Sequence, residues 1–148
     1  LLFLHADTRL APGWAAAAAA FMAEPANAAR AAAFRFALDD EAPAARRLER
    51  LVAWRCRVLG LPYGDQGLLL SRAFQDELGG FRPLPLMEDV DMVRRIGRRR
   101  LVMLEPAAVT SAVRYRRDGY LVRPLRNALC LGLYLAGVPT PVIARLYG

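Results

Sequence analysis

Three carboxylates lie within four positions in the stretch PLMEDVDMVRRIGRRR, at residues 85–100: Glu88, Asp89 and Asp91. Acidic side chains in the first turn of a helix interact with its positive end, and each contributes about 0.3–1 kcal/mol. This structural role would account for the three carboxylates without a catalytic function. The proline-bounded stretch FRPLPLM at 81–87 nevertheless predicts an exposed, extended approach to the helix, so a carboxylate here could also accept a proton in a reaction.

A second polar set follows the apolar run LLFL at residues 1–4, where His5 and Asp7 stand in the sequence HADT. The run predicts a buried strand, and Asp7 would lie beyond its carboxyl end, where open α/β sheets bind their ligands. Asp7 and Asp89 could then face one cleft, one binding a divalent cation and the other accepting a proton. The structural alternatives are a turn residue for Asp7 and a hydrogen-bonded imidazole for His5.

The elements that would position these residues alternate between strands and helices, which predicts an α/β sheet with helices on its faces. Predicted strands cover 1–4, 29–38, 68–71, 100–106 and 108–117. Predicted helices begin near Pro12, run from the DDEAP segment to Gly60, and cover 72–78 and 88–97. Two more helices are expected in 120–148, separated at Gly137-Val138-Pro139.

The composition is that of a folded protein of 148 residues, 55% hydrophobic and 24% charged. The net charge of +7 does not indicate a nucleic-acid partner, because all 21 basic residues are arginines, scattered along the chain without interleaved aromatics. Cys56 and Cys130 are too few and too far apart for a metal knuckle, so we expect two reduced, buried thiols.

A secretory signal peptide is not indicated, because His5, Asp7 and Arg9 interrupt the apolar start of the chain. No apolar run reaches the roughly 20 residues that cross a bilayer. The apolar stretch at 128–138, with Arg123 and Arg126 beside it, could rest on a membrane surface or pack as a terminal helix. We therefore expect a cytoplasmic protein that is either dissolved in the cytoplasm or in contact with the inner face of the membrane.

Three stretches carry a family resemblance: LLFLHADTRLAPGW, PYGDQGLLLSRAFQDELGGF and LMEDVDMVRRI. In this order and spacing they resemble the family 2 glycosyltransferases, and most closely a bacterial cytosolic subgroup with His-Ala-Asp in place of Asp-x-Asp. The likeness covers essentially the whole chain but only the second half of the family's catalytic domain. It implies a GT-A fold with a mostly parallel sheet, a catalytic part at 1–118 and a helical segment packed on it at 119–148.

The resemblance implies a nucleotide-diphosphate sugar as donor, an acceptor of unknown identity, and Mg²⁺ or Mn²⁺ at the diphosphate. Asp7 matches the last carboxylate of the Asp-x-Asp motif and would bind the metal or the donor. His5 takes the motif's first position, where imidazole suits Mn²⁺ better than Mg²⁺. Asp89 matches the catalytic base that deprotonates the acceptor hydroxyl, with inversion at the anomeric carbon, and Glu88 would orient the site.

The resemblance also implies sugar or acceptor contacts from Asp65 and Gln66, although a turn at GDQG would explain both without a function. Gly79, Gly80 and Phe81 match a loop beside the donor sugar, where glycine permits close approach of the backbone. A helix C-cap would explain these glycines equally well.

Three arginines could approach the diphosphate, with a solvated strand face as the alternative: Arg114, Arg116 and Arg117.

The family's nucleotide-binding first half has no counterpart in these 148 residues. A sheet edge without its partners exposes backbone groups, so we expect the isolated chain to be inactive, to bind nucleotide-sugar poorly and to be unstable without an upstream segment. Two other functions stay open at this point. One is a GT-A nucleotidyltransferase, and the other is a non-catalytic basic module that binds anionic lipid through Arg123, Arg126 and the terminal helices.

Overall fold

The computed structural model describes residues 1–147 and contains a single five-stranded sheet with helices on both faces. Gly148, the last residue of the predicted segment 119–148, lies outside the described part. The strands are β1 (Leu2–Phe3), β2 (Thr8–Leu10), β3 (Ala31–Leu38), β4 (Leu68–Leu70) and β5 (Leu101–Thr110). The helices are α1 (Trp14–Ala23), α2 (Pro43–Leu59), α3 (Arg72–Glu77), α4 (Glu88–Ile96), α5 (Val113–Asp118), α6 (Val122–Leu135) and α7 (Thr140–Tyr147).

The sheet is mixed, with the strand order β1-β4-β3-β5-β2, so the α/β class is confirmed. The predicted mostly parallel sheet is wrong, because only β3 and β5 pair in parallel and the other three pairings are antiparallel. The cause lies between α2 and β4. Gly60 and Gly67 adopt φ angles of 63° and 65°, and the 3₁₀ turn Gly64–Gln66 between them redirects the chain into β4 against β3.

Residues 4–7 join β1 at one edge of the strand order to β2 at the other edge. β2 is absent from the sequence prediction, since Thr8–Leu10 is three residues long and contains an exposed arginine. The two ends of this connection are held by pairing with β4 and β5. The segment that carries His5 and Asp7 is therefore positioned by the whole sheet.

The predicted strand at 108–117 is wrong, because β5 continues to Thr110 and residues 113–118 form helix α5. Asp39 accepts a hydrogen bond from the Ala112 backbone N–H at 2.6 Å, which ends the strand and starts the turn into the helix. Tyr115 is then buried against α2. The conformation of residues 113–118 is therefore set by packing against residues that are distant in the sequence, and a local alternation of residue types does not predict it.

The core has one layer on each face of the sheet. Ala31, Leu68 and Leu70 pack against α3 and α4, whereas Ala32 and Leu69 pack against α1. Because neighbouring residues of a strand point to opposite faces, α1 and α4 lie on opposite sides of the sheet.

The terminal helices α6 and α7 pack on α4 through a cluster that includes Val90, Cys130 and Ile143. Helix α6 ends at Leu135 and α7 begins at Thr140, so the break lies where it was predicted, near Gly137. Cys56 and Cys130 are both free and buried, as predicted. Within residues 1–147, no helix is both long and apolar enough to cross a bilayer.

Candidate functional site

A cleft of about 170 Å³ opens where the loop after β1, the turn before β4, the end of β5 and helices α4, α5 and α6 meet. Its walls combine acidic, basic and phenolic groups with a few apolar side chains. The polar lining residues are His5, Asp7, Tyr63, Asp65, Glu88, Asp89, Thr110, Ser111, Arg114, Tyr115, Arg123, Asn127 and Tyr147.

Asp7 and His5 stand in the loop between β1 and β2, and both line the cleft. The Ser111 backbone N–H donates to the Asp7 carbonyl at 3.1 Å, which fixes the loop to the end of β5. The Asp7 carboxylate lies 4.0 Å from the guanidinium of Arg114. Both side chains are partly exposed, so this ion pair is weak and both groups remain available to a ligand.

Glu88 and Asp89 form the first turn of α4 and line the same cleft. The preceding residue, Met87, has a φ of 68° and is the only non-glycine residue with a positive φ in the described chain. A left-handed conformation of this kind costs about 1–3 kcal/mol and persists where the surrounding structure enforces it. Here it aims the carboxylate pair at the cleft opposite Asp7.

Two backbone amides fix the Asp89 carboxylate. The Gly64 N–H donates to Oδ2 at 2.7 Å, and the Val90 N–H donates to Oδ1 at 2.7 Å. A carboxylate has about four acceptor positions, so each oxygen keeps one for a ligand. The side chain is thus held in place without being saturated.

Gly64 lies between His5 and Asp89. Its N–H donates to Asp89, while a Cβ built at this position would overlap the imidazole of His5. Only glycine therefore permits the present position of His5 against the turn. Through Gly64, the loop after β1 therefore lies next to the first turn of α4.

Asp65 lies deeper in the cleft, and its buried Oδ1 has no hydrogen-bond partner within residues 1–147. Burial raises the pKa of Asp65 from 3.8 to about 6; Arg55 and His5 act against this rise, while Asp89 and Asp7 add to it. The pKa of this carboxyl therefore lies well above its ordinary value.

Asp91, the third acid of the motif, does not reach the cleft. It is buried, and it accepts hydrogen bonds from Arg82 at 3.1 Å, from Arg95 at 2.9 Å and from the Tyr134 hydroxyl at 3.3 Å. Arg95 also donates to the carbonyls of Leu78 and Gly80. Asp91 is therefore structural and ties α4 to the loop after α3.

The predicted sugar or acceptor contact by Gln66 is not supported by its position, since its side chain is buried beneath the turn and lines neither pocket beside Asp89. Its Oε1 accepts from Arg55, from the Cys56 thiol and from the Tyr63 N–H, and its Nε2 donates to the Phe34 carbonyl. Both polar ends of the amide are thus occupied by the protein.

The glycines of the GGF loop also have a structural role. The Gly79 N–H donates to the Asp76 carbonyl and the Gly80 N–H to the Gln75 carbonyl, both at 3.0 Å. With φ angles of 77° and 67° these two residues form a Schellman motif that ends α3, which is the C-cap alternative left open above. Neither glycine lines a pocket beside Asp89.

Phe81, by contrast, lines a second pocket of about 220 Å³ that shares His5, Tyr63, Glu88 and Asp89 with the cleft. Its ring meets that of Phe3 edge to face, with centroids 4.8 Å apart. The remaining walls are mainly apolar: Leu4, Pro62, Gly64, Gly67, Leu68 and Val93.

The three arginines that were predicted to approach the diphosphate lie in different surroundings. Arg114 lines the cleft, whereas Arg116 pairs with Asp40 at 3.2 Å and Arg117 with Asp118 at 2.6 Å. They belong to a helix and not to the strand considered as the alternative. The helical geometry presents only Arg114 to the cleft.

Four functional candidates in the cleft were missed from the sequence: Tyr63, Tyr115, Arg123 and Asn127. Within residues 1–147, Arg123 Nε and Asn127 Oδ1 are buried without a hydrogen-bond partner, as is Arg126 Nε. The signal was the four-residue spacing of Arg123 and Asn127, which places both on one helix face. Burial raises the pKa of Tyr115 to about 12, so its hydroxyl stays protonated and can donate.

A predicted divalent cation would have few protein ligands here. Across residues 1–147, no three His, Cys, Asp or Glu side chains are grouped closely enough to hold a metal ion. Mg²⁺ bound to a diphosphate, however, needs only one or two carboxylates from the protein. The partly exposed Asp7 carboxylate fits that smaller requirement.

Comparisons of the chain with protein-family models, with curated proteins and with solved structures found no match.

Proposed function

We propose that the cleft belongs to an inverting glycosyltransferase, in which a sugar passes from a nucleotide-diphosphate donor to an acceptor hydroxyl. The observation that carries this proposal is that Asp7 and Asp89, which are far apart in the sequence, line the same cleft. The motif resemblance requires these two carboxylates to lie in one cleft. A residue that only starts a helix and a residue that only forms a turn would not need to lie together.

In this proposal Asp89 is the general base. Its carboxylate is held by the N–H groups of Gly64 and Val90 and still has free acceptor positions toward the cleft. The acceptor O–H would donate its proton there as the oxygen attacks the anomeric carbon and the bond to the diphosphate breaks. Glu88, on the same turn, would orient the acceptor.

The diphosphate of the donor would lie near Arg114 and Arg123, which bring two positive charges to the cleft. The unpartnered Arg123 Nε and Asn127 Oδ1 are buried polar atoms that a bound ligand would satisfy. A divalent cation held by Asp7 would supply further stabilisation of the charge on the departing diphosphate.

The apolar pocket beside Asp89 would receive the acceptor. Phe3 and Phe81 form one side of it, and Tyr63 and Pro62 form another. Aromatic walls next to a carboxylate favour an alcohol with an apolar or ring-shaped body over a small, fully hydrated one.

Product identification tests the proposal. The gene product, with any flanking sequence that its gene encodes, would be incubated with a panel of nucleotide-diphosphate sugars and alcohol acceptors. Release of a nucleoside diphosphate together with an anomerically inverted glycoside is the expected result. Release of pyrophosphate would instead indicate nucleotidyl transfer and would overturn the proposal.

A further inference from the structure

The outer face of α6 is apolar along its full length. Every exposed residue between positions 121 and 136 is aliphatic or glycine, and Leu121, Leu125 and Leu129 are 77%, 67% and 60% exposed. The complete set is Leu121, Val122, Leu125, Ala128, Leu129, Gly132, Leu135 and Ala136. This is the reverse of an ordinary surface helix, whose exposed face is polar.

The polar residues of α6 point inward. Arg123 and Arg126 lie near Asp118, Arg126 stacks over the ring of Tyr147, and Asn127 lines the cleft. The Arg123 side chain is 12% exposed and that of Arg126 is 36% exposed. The helix thus turns Arg123 and Asn127 to the cleft and leaves Leu125, Leu129 and Leu135 exposed.

The apolar surface continues onto α2. A groove of about 210 Å³ between the two helices is lined by Leu51, Trp54 and Leu59 on one side and by Pro124 and Ala128 on the other. The indole of Trp54 is half exposed at its edge. Tryptophan, with an apolar ring and one N–H, is characteristic of the boundary between lipid and water.

The exposed charged residues on α2, α6 and α7 have one sign. The exposed charged residues of α2 are all arginines, namely Arg46, Arg47, Arg50 and Arg57, and Arg145 is exposed on α7 beside Val142 and Leu146. Residues 119–148 contain no Asp or Glu. A second copy of the chain would bring arginine against arginine, whereas an anionic surface would be attracted.

We propose that the α2–α6–α7 face, defined by Leu51, Trp54, Leu121, Leu125, Leu129 and Leu146, binds the surface of an anionic lipid bilayer. The leucines and the indole enter the headgroup region, and the surrounding arginines meet the lipid phosphates. With 14 residues, α6 is too short to cross the bilayer and lies along it. The inference does not depend on the proposed glycosyl transfer.

Vesicle co-sedimentation of the complete chain tests this inference, with phosphatidylcholine alone compared with phosphatidylcholine containing phosphatidylglycerol. We expect binding at least about tenfold tighter to the anionic vesicles, and at least about tenfold weaker binding for Leu125→Gln/Leu129→Gln. Met22→Gln is the matched control, since Met22 is an exposed apolar residue on α1, across the sheet from α4 and α6. It should bind like the unaltered chain.

A second measurement does not depend on sedimentation. In a Trp14→Phe variant, the emission of Trp54 should shift to shorter wavelength when anionic vesicles are added, and it should not shift with neutral ones. The proposal is overturned if the chain ignores anionic vesicles, or if the leucine variant binds them as well as the unaltered chain does. It is also overturned if light scattering shows a dimer that the leucine substitutions dissociate, since a second copy then covers the face.

Discussion

The backbone N–H of Gly64 donates a 2.7 Å hydrogen bond to the carboxylate of Asp89, and the same glycine lies against the imidazole of His5. One residue without a side chain therefore sets the distance between two of the polar groups in the cleft. A methyl group at this position would leave the hydrogen bond possible but would displace the imidazole.

Gly64→Ala should accordingly reduce transfer by at least about tenfold while lowering the free energy of unfolding by less than about 1 kcal/mol, because His5 is exposed and can rotate away. Kinetic assays and thermal unfolding check the two parts. In a chain that already carries His5→Ala, adding Gly64→Ala should reduce transfer little further, and a double-mutant cycle measures this coupling. Gly132→Ala, in open space on α6, is the matched glycine control and should be slightly stabilising. Full activity of Gly64→Ala would show that the position of His5 is irrelevant.

The stability of the fold should depend on pH through Asp65. Burial raises the pKa of Asp65 from 3.8 to about 6 in the folded chain, so the folded state binds this proton more tightly than the unfolded state does. That contribution is fully present below pH 3.8 and is lost as the pH rises through about 6. Asp65→Asn should therefore be more stable than the unaltered chain at pH 7.5, by up to about 3 kcal/mol, and gain little at pH 4.

Denaturant unfolding at the two pH values measures this difference. Asp76→Asn changes an exposed carboxylate at the end of α3 and provides the control, with no gain expected at either pH. An Asp65→Asn gain of equal size at pH 4 and pH 7.5 would contradict the assignment of the effect to the ionised carboxylate.

Asp91 and Asp89 are two residues apart, but substitution by Asn should affect different properties. Asp91→Asn should mainly lower stability, whereas Asp89→Asn should mainly lower sugar transfer. Asp91→Asn removes the charge that holds Arg82 and Arg95, and it should lower the free energy of unfolding by about 2–3 kcal/mol. Thermal unfolding checks the loss. Glu77→Gln removes an exposed partner 4.0 Å from Arg100 and should cost less than about 0.5 kcal/mol. A stable Asp91→Asn variant would mean that its ion pairs contribute nothing to the fold.

Strong local patterns made part of the fold predictable from the sequence. Helix α2 has apolar residues at helical spacing and ends at Gly60, and α4 begins at its acidic pair, so both helices were found close to their true bounds. The strand at 31–38 was predicted at 29–38 from a loose alternation that puts Phe34 and Phe36 on one face and Arg35 on the other. These features depend on residues close together in the chain.

The remaining features depend on contacts between distant residues. The direction of β4 follows from a glycine-flanked turn, α5 is held by the burial of Tyr115 against α2, and Gln66 is withdrawn from the cleft by partners on three elements. In the candidate site, Asp7, Asp65 and Asp89 were identified from turn chemistry and motif resemblance. Arg123 and Asn127 were missed as cleft residues: their spacing places both on one face of α6, but a polar helix face ordinarily predicts exposure to solvent, and only the packing of α6 turns that face to the cleft.

The most direct test of Asp89 as the general base is sugar transfer by Asp89→Asn in the complete gene product, measured with the donor and acceptor that the unaltered protein uses. Asn keeps the shape of the side chain, but its single amide oxygen can accept from only one of the Gly64 and Val90 N–H groups, and it cannot take up the acceptor proton. The assignment of Asp89 as general base predicts a fall in kcat of about 10²–10⁴-fold with donor binding little changed, and the lost hydrogen bond should lower the free energy of unfolding by only about 1 kcal/mol. An Asp89→Asn protein that transfers sugar at the unaltered rate would contradict it.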